Sequence, residues 1–241
     1  MIKTVLITGA NKGIGFEVAR QLAEFGFFVY LGSRNKERGD ESIQKLNSLG
    51  LSNVENLVID VTDGDSIRLA RTALESKITK LDVLINNAGI GGELPQDFST
   101  CDLENLRRIF DTNFFGAIQT SQEFLPLLKK SGQSSIINIS SEVGSLSAMS
   151  APDGNTSRHK FHAYGASKTA LNAFTVMLAN ELLESGVSVN SVTPGHTATD
   201  LNGFQGTRTA TEGAAPIVKL ATEFSTGITA KFFKENGEAN W

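Results

Sequence analysis

Thr4-Val5-Leu6-Ile7-Thr8-Gly9-Ala10-Asn11-Lys12-Gly13-Ile14-Gly15 passes from a β-branched, aliphatic run into glycines and out again into a helical period. Ile14, Val18, Leu22 and Phe25 recur on one face of the segment that follows. Glycine at such a junction lets the chain turn tightly and lets an anion approach the backbone, where free N–H groups and the helix dipole hold it. The turn therefore suits the pyrophosphate of a dinucleotide, although a strand-to-helix turn that needs glycine only for its own backbone angles reads the same way.

The same alternation continues along the chain. Short apolar runs at Phe28–Leu31, Leu57–Ile59, Val83–Ile85, Ile136–Ile139, Val187–Val192 and Ala230–Phe233 are separated by segments of helical length, so with Thr4–Thr8 about seven strands are predicted. Near-continuous apolar strands divided by helices imply a parallel sheet covered on both faces, because right-handed crossovers lay helices on each side. The predicted fold is a doubly wound α/β domain, the Rossmann arrangement, spanning residues 1–241 as a single unit. No linker or fixed-period repeat divides it, and the polar, glycine-containing stretches 142–163 and 200–213 read as long loops.

Composition narrows the function classes. With 40% hydrophobic and 20% charged residues in 241, the chain has enough apolar material for a sizeable core. A formal net charge of −4 offers no broad basic footprint for nucleic acid or an anionic membrane, so small molecules or proteins are the expected partners. Cys101 is the lone cysteine, which excludes an intrachain disulfide, and three histidines without a Cys/His cluster argue against a metal site. Met1-Ile2-Lys3 leads directly into the first strand without the apolar segment of a signal peptide, and no run reaches the ~20 residues of a membrane span. A cytoplasmic location is expected.

Further motifs carry chemistry. Tyr164 and Lys168 stand four apart, on one face of a helix, where an ammonium near a phenol favours the phenolate and draws its pKa down. Ser140 and Ser141 close the run Ile136–Ile139, at the carboxyl end of a strand where open α/β sheets bind ligands. Asn86-Asn87-Ala88-Gly89 follows the fourth strand, Asn113 sits within the helical segment Leu106–Phe114, and Pro194-Gly195 follows the sixth strand. Taken together, in this order and spanning nearly the whole chain, these motifs resemble the classical short-chain dehydrogenase/reductase family. The resemblance implies a catalytic tetrad of Asn113, Ser141, Tyr164 and Lys168. In it Tyr164 exchanges the proton, Ser141 holds the substrate oxygen, Lys168 activates Tyr164 and binds the nicotinamide ribose, and Asn113 holds a water in a locally disturbed helix. It implies a nicotinamide dinucleotide contacted by Gly9, Asn11, Lys12, Gly13, Ile14 and Gly15, by Asp60 and Val61 near the adenine, by Asn87, Ala88 and Gly89, and by Pro194, Gly195, Thr197 and Thr199. Asn87 reads equally as a turn residue that braces the sheet.

The second strand runs into Gly32-Ser33-Arg34 with no carboxylate to accept an adenosine 2′-hydroxyl. Lys12, Arg34 and, more weakly, Arg38 offer cations for a 2′-phosphate instead, so NADP(H) is the expected cofactor. These residues look most like the carbonyl reductase branch, which implies reduction of a small ketone or aldehyde to an alcohol; a noncatalytic dinucleotide sensor and an NAD-dependent alcohol dehydrogenase are the alternatives. Ser141 and Tyr164 are 23 positions apart, longer than in common members, and Ala151-Pro152-Asp153-Gly154-Asn155-Thr156 has the turn residues of an inserted loop. That branch carries an insertion here, beside helices through which typical relatives tetramerise, so a monomer or homodimer is expected. His159, His162 and His196 read as polar loop residues, and Val143, Met149, Leu201 and Phe204 suggest an apolar substrate pocket.

Overall fold

In the computed structural model, which describes residues 2–151, 160–223 and 227–241, the opening motif forms β1 (Thr4–Ile7) and α1 (Gly13–Glu24). The alternation then runs β2 (Phe28–Ser33), α2 (Lys36–Ser48), β3 (Val54–Val58), α3 (Gly64–Glu75), β4 (Val83–Asn86), α4 (Leu103–Phe110), α5 (Gly116–Lys129) and β5 (Ser134–Ile139). It closes with α6 (Leu146–Ser150), α7 (His162–Glu181), β6 (Val187–Val192), α8 (Ala210–Thr222), β7 (Phe232–Lys234) and β8 (Gly237–Glu238). The strands form one sheet in the order β3-β2-β1-β4-β5-β6-β7-β8, parallel throughout except for the last pair.

The strand period of two divides the core into two layers. Val5, Ile7, Val29, Leu31, Val83, Ile85 and Ile137 face Val18 and Leu22 of α1 and Ile217 and Val218 of α8. Their neighbours Leu6, Tyr30, Leu84 and Ile136 face Ile67 and Leu74 of α3, Phe124, Leu127 and Leu128 of α5, and Ala179 of α7. Strands buried on both sides therefore need apolar residues at nearly every position, which is why the runs are continuous rather than alternating. Burying each such side chain stabilises the fold by roughly 1.5–3 kcal/mol.

The sheet has eight strands where the sequence reading has about seven. The extra one, β8, pairs antiparallel with β7, with Lys234 opposite Gly237. The two-residue turn is Glu235-Asn236, and Gly237 (φ 117) opens β8 directly after it. β7 also starts at Phe232 instead of Ala230, because Ala230 adopts φ 56 and breaks the extended chain. Residues 142–163 are not all loop. Glu142–Gly144 form a 3-10 turn, α6 follows, and α7 opens at His162, while most of the predicted insertion, with His159, lies outside the described residues. Among the described residues, no helix is long and apolar enough to cross a membrane.

Candidate active site

The order of strands reverses between β1 and β4, and the loops after these two strands meet over that crevice. Gly9 has φ 62, and a Cβ there would lie 2.8 Å from Ala88 Cα, so both the backbone angle and the close approach require glycine. The Thr8 hydroxyl accepts from the N–H groups of Asn87 (3.0 Å) and Ala88 (3.1 Å). In return Asn87 Nδ2 donates to the carbonyls of Thr8 (2.8 Å) and Gly9 (3.0 Å). Asn87 is thus the brace of the glycine loop, the structural half of its two readings. Asn11 is held from the other side, its carbonyl accepting from the Ser42 hydroxyl at 2.9 Å.

Crevice and dinucleotide fit each other in three respects. The N-terminus of α1 has no side-chain cap and no acid in its first turn, which leaves N–H donors and the positive dipole end for an anion. Gly13 (φ 58) sits beneath Thr199, with a Cβ there only 3.6 Å from Thr199 Cγ2, while Gly15 packs so tightly that a Cβ would meet Asn87 Nδ2 at 2.4 Å. Half-buried Ile14 anchors that turn against the core. At the far end of β2, Ser33 is buried and followed by Arg34 and Arg38, both exposed and neither in an ion pair among the described residues. Lys12 differs: it pairs with Asp200 at 3.3 Å, joining the glycine loop to the segment after β6. Asp60 turns its carboxylate onto Thr62, accepting from both the N–H (2.9 Å) and the hydroxyl (2.7 Å), and Val61 packs against Gly116. In the loop after β6, Gly195 has φ 72, and the Thr197 hydroxyl donates to the carbonyls of Pro194 (3.1 Å) and Gly195 (3.3 Å), which makes Thr197 a turn brace.

The four candidate catalytic side chains converge. Ser141, immediately after β5, places its hydroxyl close enough to that of Tyr164 to lower the phenol's pKa. One turn along α7, Lys168 is buried, with Nζ donating to the Ile139 carbonyl at 2.8 Å and standing 5.6 Å from the centre of the Tyr164 ring. A Cβ added to Gly89 would lie 3.6 Å from Lys168 Nζ and 3.3 Å from Asn113 Oδ1, so these two groups face one spot that glycine keeps open. Asn113 lies in a π-helical turn, Asp111–Phe115, between α4 and α5, matching the disturbed helix expected there. Its amide accepts from Ile90 N–H (2.8 Å) and donates to the Ile90 carbonyl and to Ser167 Oγ, each at 3.0 Å. Ser140 is buried behind the site, its hydroxyl without a partner among the described residues.

Electrostatics correct one expectation. Burial pushes the Tyr164 phenol up to about 12, and the Ser141 hydroxyl only partly opposes it. Burial likewise pulls Lys168 down to about 8. The Lys168 ammonium donates to a backbone carbonyl and lies beside the ring rather than at the oxygen, so burial outweighs its pull on the phenol.

Three residues that the sequence reading left out organise the loop after β4. Asn105 accepts from Glu93 N–H (3.1 Å) and donates to the Glu93 carbonyl (2.9 Å), repeating Asn113's grip on Ile90 from two turns earlier on the same helical face. Ile109 lies between them, against Gly92. Gln96, buried, donates to the Gly91 carbonyl (2.6 Å) and accepts from the Tyr164 N–H (2.9 Å). The periodicity Asn105, Ile109, Asn113 was visible; Gln96, in a loop, left no pattern. Among the histidines, His162 sits 3.3 Å from Asp97 and stacks with Phe98, and His196 is exposed. Of the apolar candidates, Leu201 packs on Gly91 and is half exposed, Phe204 is exposed, and Val143 and Met149 are half-buried.

Comparison with known proteins agrees with this geometry. Residues 3–209 match the family model described as short chain dehydrogenase. A short-chain dehydrogenase, anuI, of Penicillium roqueforti is 36% identical over 92% of this chain and 89% of its own. The (-)-isopiperitenone reductase of Mentha piperita is 31% identical over 95% of each. Among solved structures, the NADPH-bound carbonyl reductase from chicken fatty liver superposes with a TM-score of 0.86 at 29% identity, covering 100% of this chain and 99% of that one. A chain whose crevice, glycine loop and Ser-Tyr-Lys cluster arise together, and whose sequence matches across most of its length, belongs to the short-chain dehydrogenase/reductase family of nicotinamide-dependent oxidoreductases.

Proposed function

We propose that the protein reduces the carbonyl of a small ketone or aldehyde to an alcohol with NADPH. The observation that carries this reading is the meeting of the Ser141 and Tyr164 hydroxyls beside buried Lys168, whose Nζ stands 5.6 Å from the Tyr164 ring, at the mouth of the crevice that the glycine loop borders. Bound NADPH supplies the hydride. The chain's own part is to hold the carbonyl oxygen between the Ser141 and Tyr164 hydroxyls and to deliver a proton to it. As charge develops on that oxygen, these two donors stabilise it, and the Tyr164 O–H proton passes to the nascent alkoxide. A phenol raised to about 12 keeps its proton throughout neutral pH, and an alkoxide is a stronger base than a phenolate, so transfer toward the alcohol is downhill. Lys168 in this role contributes its charge to the phenolate left after transfer and its donors to the ribose, while Asn113 holds the spot beside Gly89 through which a water can resupply the proton.

NADP(H) over NAD(H) follows from the end of β2, where Ser33 is followed by the exposed cations Arg34 and Arg38, neither in an ion pair among the described residues. The carbonyl reductase from chicken fatty liver, a structural neighbour, is NADPH-bound. The test is NADPH consumption with a panel of ketones and aldehydes, run with wild type and Tyr164→Phe. Turnover by wild type and a fall of roughly 10²–10⁴ in the variant, with NADPH binding kept, are the expected results. A variant near wild-type turnover would remove Tyr164 as the acid, and binding of NADPH without turnover of any carbonyl would favour a sensor.

A further inference from the structure

The first turn of α7 carries the candidate acid, and its cap comes from elsewhere in the chain. The N-cap residue Phe161 offers no side-chain acceptor, and the first backbone bond of the helix runs from Gly165 N–H to the Phe161 carbonyl at 2.7 Å. The N–H groups of His162, Ala163 and Tyr164 precede it and have no acceptor within the helix. For Tyr164 the acceptor is Gln96 Oε1, from a residue 68 positions away. The same amide donates to the Gly91 carbonyl at 2.6 Å, the shorter of its two bonds. Gln96 is 1% exposed, so water does not substitute for either partner.

Gly91 is not an arbitrary attachment. Ile90, its neighbour, is gripped on both backbone groups by Asn113, and Glu93 is gripped in the same way by Asn105. The loop is therefore fixed to the α4–α5 helical face at two points, and Gln96 transmits that fixed frame to the backbone of Tyr164. From the other side, Tyr164's carbonyl accepts from Ser167 Oγ (2.7 Å), which in turn accepts from Asn113 Nδ2. Both backbone groups of Tyr164 are thus tied, through one intermediate residue each, to the frame that Asn113 organises.

We infer that Gln96 is a positioning residue for Tyr164, its amide holding the first turn of α7 at the distance from the β4 loop that proton delivery requires. This inference rests on the reading of Tyr164 as the acid. Gln96 touches neither substrate nor cofactor in that reading; it acts through the placement of the Tyr164 backbone. Displacing a reacting group by about 1 Å costs on the order of 10²-fold in rate, while binding contacts made elsewhere are unaffected.

Gln96→Met keeps the length of the side chain and removes its amide donor and acceptor. Expected is a kcat about 10- to 100-fold below wild type, with KM for the carbonyl and Kd for NADPH each within about twofold. Gln96→Glu keeps an acceptor for the Tyr164 N–H but can donate to the Gly91 carbonyl only when its carboxyl is protonated, so relative to wild type its kcat is expected to recover as the pH falls, which a residue that only supports the fold would not show. If Gln96→Met does not fold, Gln96→Asn, whose amide is one methylene too short to reach both partners, takes its place with the same expectations. A kcat like that of wild type in the Met or Asn variant, a loss carried by Kd or KM instead of kcat, or no recovery of Gln96→Glu at low pH would overturn the inference. Tyr164→Phe measured alongside separates the two claims. If it retains turnover, the reading of Tyr164 fails; if it is inactive while Gln96→Met is unimpaired, only the positioning role fails.

Discussion

At the scale of single residues, the chemistry depends on what surrounds each group. Tyr164 and Lys168 are placed together by their four-residue spacing, yet their acid–base character comes from burial, which raises one to about 12 and lowers the other to about 8. No sequence spacing reports burial at that resolution, so the four-residue spacing brings the phenol and the ammonium together without fixing the ionisation of either. Arg34 belongs to the same scale. It stands exposed at the end of β2 with no carboxylate partner among the described residues, and a charge-assisted contact from a guanidinium to phosphate is worth about 1.5–3 kcal/mol. Arg34→Ala is therefore expected to weaken NADPH binding by about 10- to 100-fold and leave NADH nearly unchanged, as read by titration of nucleotide fluorescence. Equal losses for both nucleotides would mean that Arg34 shapes the loop instead of reading the phosphate.

Among the elements, the π-helical turn at Asp111–Phe115 and the helix before it matter most for the site. α4 begins under a strong cap, Asp102, which accepts from the N–H groups of Glu104 (3.2 Å) and Asn105 (3.1 Å). Asn105, Ile109 and Asn113 then form a stripe at four-residue spacing that binds the loop after β4 like a short strand, two amides on two backbone units with an apolar residue between. Removing the Asn105 side chain leaves the Glu93 N–H and carbonyl, on an exposed residue, without their protein partner and opens a gap at a buried position. Asn105→Ala is expected to destabilise the protein by about 1–3 kcal/mol and lower the thermal midpoint by roughly 2–10 °C, measured by calorimetry. It should also reduce kcat, because the loop that carries Gln96 loses one of its anchors; a variant with unaltered stability and kcat would show that Asn113 alone fixes the loop.

Over the whole molecule, the sheet is held at its amino-terminal edge by one buried carboxylate. Asp82, with a fully buried side chain at the start of β4, accepts from Thr4 N–H (2.8 Å), Ser131 Oγ (2.6 Å) and Lys80 Nζ (3.0 Å), joining β1, β4 and the end of α5. Burial pushes this carboxyl up, but the donors from Ser131, Thr4 and Lys80 outweigh it and hold it below the ordinary carboxylate range. The folded state therefore releases this proton more readily than the unfolded chain. Its stabilisation is complete above about pH 4 and is lost as the pH falls through the lower, folded value. Asp82→Asn is expected to lower stability at pH 7 by about 1–3 kcal/mol, with the gap to wild type narrowing below about pH 4 in acid denaturation curves. A gap that stays constant with pH would place the effect in packing.

The alternation of apolar runs with helical periods was enough to specify a doubly wound sheet, the glycine loop and the helix bearing Tyr164 and Lys168, because strand period, helix period and glycine's backbone freedom are local properties of the chain. Ser140 and Ser141 were legible at a strand's end for the same reason, and only the family resemblance chose Ser141 between them. The eighth strand was missed because two residues of strand leave no periodicity. Folding alone settled the rest. Lys12 found Asp200, Asn87 became a brace, Gln96 reached across 68 positions to cap the helix of Tyr164, and burial set the ionisation of the phenol and the ammonium. Each of these depends on which distant segments come within hydrogen-bond reach and how much water they exclude, and neither quantity is encoded in any local stretch of sequence.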